Sequence, residues 1–255
     1  MDNESNEILT GGNMNSPVLN DNLIYKESTK ASKTIHELLC YVRSQGINWV
    51  PESYGINSDG KHVLSYIEGV VPQEKPYWIW NEDILKEVAL KLRQWHDATE
   101  NFKYKKARWL LSNDEINEVI CHNDFAPYNC VFKDNKFKGL IDFDVCSPGS
   151  RIWDIAYTSY RFIPLFPDKN EEKYYEVSPF SKEVMMNRLK IFLDSYSCDE
   201  KEFLYDEKKV INKIRKRLKV LASWSKEYGL QTKNQELQNN AKMYLLHAKW
   251  IKIFL

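Results

Sequence analysis

The stretch from His122 to Asp154 restricts the fold of this chain more than any other part of it. The apolar run Val119-Ile120-Cys121 leads into a polar loop, His122-Asn123-Asp124-Phe125-Ala126-Pro127-Tyr128-Asn129, and Cys130-Val131-Phe132 leaves it as a strand. Asp134-Asn135 has the turn chemistry of a tight hairpin, and Lys138 to Phe143 reads as the returning strand. Antiparallel pairing sets the end of the second strand beside the start of the first. The loop holding Asp124 and Asn129 therefore lies at the same end as Asp142, and three oxygen-bearing side chains converge without any long-range assumption.

That convergence is what phosphoryl transfer asks of a protein. Magnesium is a hard cation that takes oxygen ligands and keeps waters while bridging substrate phosphates, so one Asn and one Asp suffice from the protein. A second carboxylate, standing free of the metal, orients the attacking hydroxyl and accepts its proton. Asp124 fits the base; Asn129 and Asp142 fit the magnesium ligands. Asp144 is read as a hydrogen-bond partner in preference to a further ligand.

Around this segment the chain changes character once. Residues 8–28 alternate short apolar runs about Gly11-Gly12-Asn13, as two strands joined by a glycine loop would. Residues 32–46 read as a helix with Ser32 as N-cap, Ile35, Leu38, Leu39 and Val42 as its apolar face, and Gly46 as its end. An Asp59-Gly60 turn between Tyr54-Gly55-Ile56 and His62 to Ile67 signals a second hairpin. Gly69, Pro72 and Pro76 then mark a linker. Beyond it Ile84, Leu85, Val88, Leu92 and Trp95 recur at helical spacing behind a candidate Asn81 cap, and residues 181–196, 206–228 and 234–254 are helical in period. The expectation is an α+β fold of two lobes. A small strand-rich N-lobe spans residues 1–67, a hinge spans 68–76, and a larger, mostly helical C-lobe spans 77–255, interrupted only by the hairpin after Asn129.

Composition narrows the partners. With 36 basic and 36 acidic residues the net charge is zero, which argues against a nucleic acid or an anionic membrane as the main partner. The acidic, polar start Met1 to Ser5 is not a signal peptide, and no apolar run reaches membrane-spanning length. Five cysteines, Cys40, Cys121, Cys130, Cys146 and Cys198, form no C-x-x-C pair, which suits free thiols in the cytoplasm. The set Cys121, His122, Cys130 and Cys146 matches no common zinc spacing.

The segment resembles the signature of the aminoglycoside phosphotransferase and choline kinase family, which has a protein-kinase-like fold. The resemblance lies in His122-x-Asp124, Asn129, Ile141-Asp142-Phe143, Gly149 and Trp153-Asp154-Ile155-Ala156. It extends weakly to Leu9-Thr10-Gly11-Gly12-Asn13, Leu38-Leu39, Val63 to Gly69 and Leu92 to Ala98, and the last hundred residues or so carry no motif. The resemblance implies Asp124 as catalytic base, His122 as the brace of the catalytic loop, Asn129 and Asp142 as Mg2+ ligands, and Asp154 as a buried acid bonding that loop. It places Gly11 and Gly12 over the phosphates, where missing side chains let backbone N–H groups approach. Lys26 would reach the α- and β-phosphates of ATP or GTP with Glu37 as its ion pair, while Lys30 and Lys33 offer competing alignments. Tyr66 and Ile67 would offer hinge backbone groups to the base. The implied partners are the nucleotide and a small-molecule hydroxyl acceptor, with no nucleic acid or membrane and a monomer or dimer as the assembly.

Departures from the protein-kinase pattern favour a small acceptor. The loop lacks His-Arg-Asp, the metal strand reads Asp142-Phe143-Asp144, and no activation segment of usual length precedes Asp154. Aminoglycosides are the reference acceptor, and choline-like alcohols, sugars and homoserine compete. The cluster Lys208, Lys209, Lys213, Arg215, Lys216, Arg217 and Lys219 would suit a non-catalytic nucleic-acid binder. Val210, Ile214, Leu218 and Leu221 give that helix a buried side, so a solvated basic face is the preferred reading. The acids Glu171, Glu172, Glu176, Asp199 and Glu200 suit either a cationic acceptor or ordinary loop solvation.

Overall fold

The computed structural model describes residues 7–8, 17–72, 75–112, 115–167, 177–203 and 205–254. The chain divides into two compact units, residues 1–79 with 94–151, and residues 80–93 with 152–255.

The first unit is built on a five-stranded antiparallel sheet in the order β1-β2-β3-β5-β4. Its strands are β1 (Glu7–Ile8), β2 (Val18–Asn20), β3 (Leu23–Glu27), β4 (Ser53–Ile56) and β5 (Lys61–Ser65). β1 pairs with β2, Ile8 opposite Val18, so the two strands expected around the glycine loop do form; Gly11 and Gly12 lie outside the described residues. Helix α1 (Ser32–Ser44) buries Ile35, Leu38, Leu39 and Val42, the face its spacing predicts. Ser32 is not its N-cap. Its hydroxyl accepts the Thr29 N–H at 2.8 Å, so it serves the preceding turn, and the helix begins after Ala31 without a side-chain cap.

Helix α2 (Glu82–Thr99) opens on Asn81, whose side-chain oxygen accepts the Asp83 N–H at 2.9 Å as a cap should. Strands β6 (Val119–Cys121), β7 (Cys130–Lys133), β8 (Lys136–Leu140) and β9 (Ser147–Gly149) follow. β7 and β8 form the predicted hairpin, with Asp134 and Asn135 both at positive φ (53° and 57°) as a two-residue turn of this hand requires. β6 pairs with β9, a second two-stranded ladder where only one hairpin was expected. The sequence Ser147-Pro148-Gly149 has turn composition, and proline cannot donate to a ladder, so it gives no strand signal.

Backbone bonds fasten the β7–β8 hairpin within this unit. Val70 and Phe132 exchange N–H···O bonds of 2.7 and 2.9 Å, and the Leu140 N–H donates to the Trp49 carbonyl at 3.0 Å. Gly69 lets the chain reach β7: its φ is +152°, and a Cβ there would sit 2.5 Å from the Phe132 carbonyl oxygen. Trp95, fully buried on α2, donates its indole N–H to the Ile120 carbonyl at 2.7 Å and tilts against Phe143, with ring centroids 5.3 Å apart. The periodicity of α2 thus delivers one aromatic buttress to the loop that follows β6.

The second unit is helical: α3 (Arg151–Phe162), α4 (Lys182–Ser197), α5 (Glu207–Gln231) and α6 (Gln235–Phe254). Ser181, Asp206 and Asn234 accept the first free N–H groups of α4, α5 and α6. The basic face of α5 is not wholly solvated. Arg217 is buried 4.7 Å from the Trp153 ring centroid, and the ammonium groups of Lys213 and Lys216 lie 5.9 and 5.7 Å from it. Arg217 stacks its buried guanidinium on the ring, while the long aliphatic stems of the two lysines let them cover it with their charges nearer water. Among the described residues no helix is long and apolar enough to cross a membrane.

Candidate active site

The loop between β6 and β7 is held from both sides. His122, fully buried, receives the Asp124 N–H on Nδ1 at 3.3 Å and lies 3.2 Å from the Ile141 carbonyl through Nε2. An N–H can only donate and a carbonyl only accept, so the pair of contacts calls for the tautomer with hydrogen on Nε2. One imidazole therefore ties the loop to the end of β8. Phe143 meets the ring edge-on at 4.8 Å between centroids. Asn123 takes the strained φ of +66° and donates from Nδ2 to the Val145 carbonyl and Ser147 Oγ, both at 2.9 Å.

Asn129 pairs directly with Asp124, and the backbone sets it beside the residue that precedes Asp142. Asn129 Nδ2 donates to the Asp124 carboxylate at 2.8 Å and to its carbonyl at 2.9 Å. The Asn129 carbonyl accepts the Ile141 N–H at 2.9 Å, which fixes the residue before Asp142. Asp142 itself has φ +62°, so the chain turns there and its side chain leaves the strand. The other Asp124 oxygen accepts the Tyr128 hydroxyl at 2.7 Å, a partner that nothing in the sequence singles out.

Lys26 joins this group from β3. Its ammonium donates to Asp142 at 2.9 Å and to Asp144 at 2.8 Å. Lys30 and Lys33 are exposed, so β3 resolves the competing alignments. Burial works to lower the Lys26 pKa, but the charges of Asp142 and Asp144 and the hydrogen bonds to both outweigh it and raise it. Burial likewise opposes ionisation of Asp142, yet the Lys26 charge and hydrogen bond hold it below the usual carboxylate range. Asp144 is raised, by burial first and by the negative charge of Asp142.

The expected Lys26–Glu37 ion pair is replaced. Glu37 is exposed on α1, and the carboxylates that hold Lys26 are Asp142 and Asp144, which an acidic pair two residues apart can offer together. Of the two hinge residues, Tyr66 gives its N–H to the Asn22 carbonyl at 2.8 Å, so a base could address only its carbonyl. Ile67 is half-buried, with its side chain filling the space beside Gly139. Asp154 is fully buried on α3. A further polar chain, absent from the sequence reading, borders Lys26: buried His62 pairs with it across β3 and β5, and its Nε2 lies 2.8 Å from Ser53 Oγ, which lies 2.9 Å from His36 Nδ1.

These residues fit a divalent cation. Asn129 directs Nδ2 at Asp124 twice, which turns Oδ1 the opposite way, and no described residue donates to that oxygen. Among the described residues no three His, Cys, Asp or Glu side chains form a metal cage. Two or three protein oxygens with room for water and phosphate is the donor pattern of Mg2+, not of zinc. Cys121, Cys130 and Cys146 are buried thiols, and burial, with the charge of Asp124, pushes Cys130 well up.

Comparison with known proteins gives the same assignment. Residues 62–176 match the model of the phosphotransferase enzyme family. The trifolitoxin immunity protein of Rhizobium leguminosarum bv. trifolii is 28% identical over 201 residues, covering 76% of this chain and 75% of that protein. The ethanolamine kinase of Plasmodium vivax superposes with a TM-score of 0.69 at 16% identity, over 98% of this chain and 83% of that one. A GDP complex of aminoglycoside 2′-phosphotransferase-IIIa superposes with a TM-score of 0.62 at 13% identity, over 96% and 91%. These structures share the fold of the present chain. The resemblance carried by His122 to Asp154 is thus borne out: residues 62–176 bear the phosphotransferase enzyme family signature, on the protein-kinase-like fold that these kinases share.

Proposed function

We propose that the protein is a small-molecule kinase that moves the γ-phosphate of ATP or GTP onto a hydroxyl of an aminoglycoside-like or other small alcohol. The observation that carries this reading is the meeting of Asp124, Asn129, Asp142 and Lys26 within one compact unit. Asp124 accepts a hydrogen bond from the acceptor hydroxyl, aims its oxygen at the γ-phosphorus and takes the proton as the new O–P bond forms. Lys26 binds oxygens of the α- and β-phosphates, and His122 keeps the loop seated. Asn129 Oδ1 and Asp142 would hold Mg2+, which when bound supplies charge compensation on the phosphates. The trifolitoxin immunity of the Rhizobium relative supports a toxic molecule as the acceptor.

Purified protein, screened with Mg-ATP and Mg-GTP across aminoglycosides, macrolides, amino alcohols and sugars, tests the reading. Asp124→Asn should lower turnover at least roughly a thousandfold, as expected for a base that also orients the nucleophile, while leaving nucleotide affinity unchanged. Turnover that survives the substitution overturns the assignment. Salt-sensitive RNA binding with no response to nucleotide would instead support the non-catalytic alternative.

A further inference from the structure

The base is clamped at both of its oxygens by one turn of the chain. Asp124 Oδ1 accepts the Tyr128 hydroxyl at 2.7 Å, and Oδ2 accepts Asn129 Nδ2 at 2.8 Å. The two donors are consecutive residues in the short 3-10 turn Pro127–Asn129. Proline at the head of this turn has its φ locked, and the turn closes on itself through Asn129 N–H to the Ala126 carbonyl at 2.9 Å and Cys130 N–H to the Pro127 carbonyl. The spacing of the two donors is therefore set by a rigid piece of backbone. Hydrogen bonds to a charged acceptor are short and strong, so the pair fixes the torsion of the carboxylate as well as its place. Asn129 alone, bonded to one oxygen, leaves the carboxylate free to swing about that contact.

From this geometry we infer that Tyr128 is a positioning residue. Its phenol fixes the torsion of the Asp124 carboxylate, and with it the aim of the base at the acceptor hydroxyl. This deepens the kinase reading and rests on it. Orientation of the base matters only once substrates are bound, so loss of the phenol hydroxyl falls on kcat and leaves nucleotide affinity untouched. Loss of one hydrogen bond to a charged group corresponds to roughly a tenfold or larger effect.

The test compares wild type, Tyr128→Phe, Asp124→Asn and the double variant, reading slow Mg-ATP hydrolysis, in which water takes the place of the acceptor. Tyr128→Phe keeps the ring and should melt with wild type. Its kcat should fall about tenfold with KM for Mg-ATP unchanged, and it should add nothing in the Asp124→Asn background. A Tyr128→Phe kcat within about twofold of wild type, while Asp124→Asn falls to roughly a thousandth, overturns the role of Tyr128 alone. An equal loss in both backgrounds does the same, because a general structural effect would not need Asp124. Hydrolysis by Asp124→Asn within about tenfold of wild type overturns the kinase reading and this inference with it.

Discussion

Replacing Lys26 by methionine keeps an unbranched side chain as far as Cε, removes the ammonium and strands two acids. The ammonium lies between Asp142 and Asp144 at 2.9 and 2.8 Å. The two arms differ in weight. Lys26 and Asp144 are 14% and 17% exposed, and removing one partner of a pair this buried costs about 3 kcal/mol, most of it from the uncompensated carboxylate. Asp142 is 47% exposed, so water screens its arm and its share is at most about 1 kcal/mol. A total of about 3–4 kcal/mol in a chain of this length corresponds to a melting temperature roughly 10 °C lower. The same substitution leaves both carboxylates free for a cation, so Mg2+ alone should raise the melting temperature of Lys26→Met more than that of wild type. Differential scanning fluorimetry with and without MgCl2 at neutral pH reads both effects. A variant that melts within about 2 °C of wild type, or that responds to Mg2+ no more than wild type does, refutes the argument that Lys26 holds these acids together.

Two further perturbations probe the surroundings of the site. Gly69→Ala sets a methyl group 2.5 Å from the Phe132 carbonyl oxygen and 2.6 Å from Val131 at a φ of +152°, so it should cost about 3 kcal/mol in denaturant unfolding. Gly46→Ala, with nothing within 4 Å and only the φ of +89° against it, should cost about 1 kcal/mol, and equal midpoints for the two would remove the steric argument. Buried His62 is pushed down to about 4, by burial foremost and then by the charges of Lys26 and His36. An unfolded histidine titrates near pH 6.5, so between roughly pH 6.5 and 4 the unfolded chain binds a proton that the folded chain does not. Stability is therefore complete above that window and falls on acidification, by about 2 kcal/mol at pH 5 from this group. His62→Gln should lose that part of the decline, and an unchanged difference between unfolding midpoints at pH 7.5 and 5 would count against it.

The parts of the site that were legible in the sequence are those whose geometry is local. Asp124 and Asn129 share one loop, and Asp142 is tied to them by a two-residue turn, so the pattern of apolar runs and Asp134-Asn135 sufficed to bring them together. The helices from residue 181 onward were equally legible, because their periodicity lies within single segments. Lys26 is another matter. It sits 116 residues from Asp142, and three lysines in a short span compete for the place until the β3–β5 register decides. Glu37 illustrates the limit: helical spacing says which way a side chain faces its own sheet, not which of two acids on a distant hairpin reaches an ammonium first. The strand β9 went unseen because its partner, β6, supplies the apolar character and its own residues supply none. Tyr128 carried no signal, since a tyrosine beside an asparagine in a loop acquires meaning only when the 3-10 turn aims both at Asp124.

The bonds that assemble the site are mostly backbone bonds. Ile141 N–H to the Asn129 carbonyl, Leu140 N–H to the Trp49 carbonyl and the Val70–Phe132 exchange hold the hairpin in place, and almost any side chain is compatible with them. The constraint on residue type falls on the groups that carry charge or hydrogen, Lys26, Asp124, Asn129, Asp142 and Asp144, and on the few that wedge the loop, Trp95, His122 and Phe143. A framework fixed in this way keeps its geometry while most of its sequence changes, which is how a fold with a TM-score of 0.69 to an ethanolamine kinase coexists with 16% identity. The proposed transfer chemistry thus rests on a small unit of local geometry. Substitutions that leave its backbone ladder and these side chains alone can change what is phosphorylated without moving Asp124.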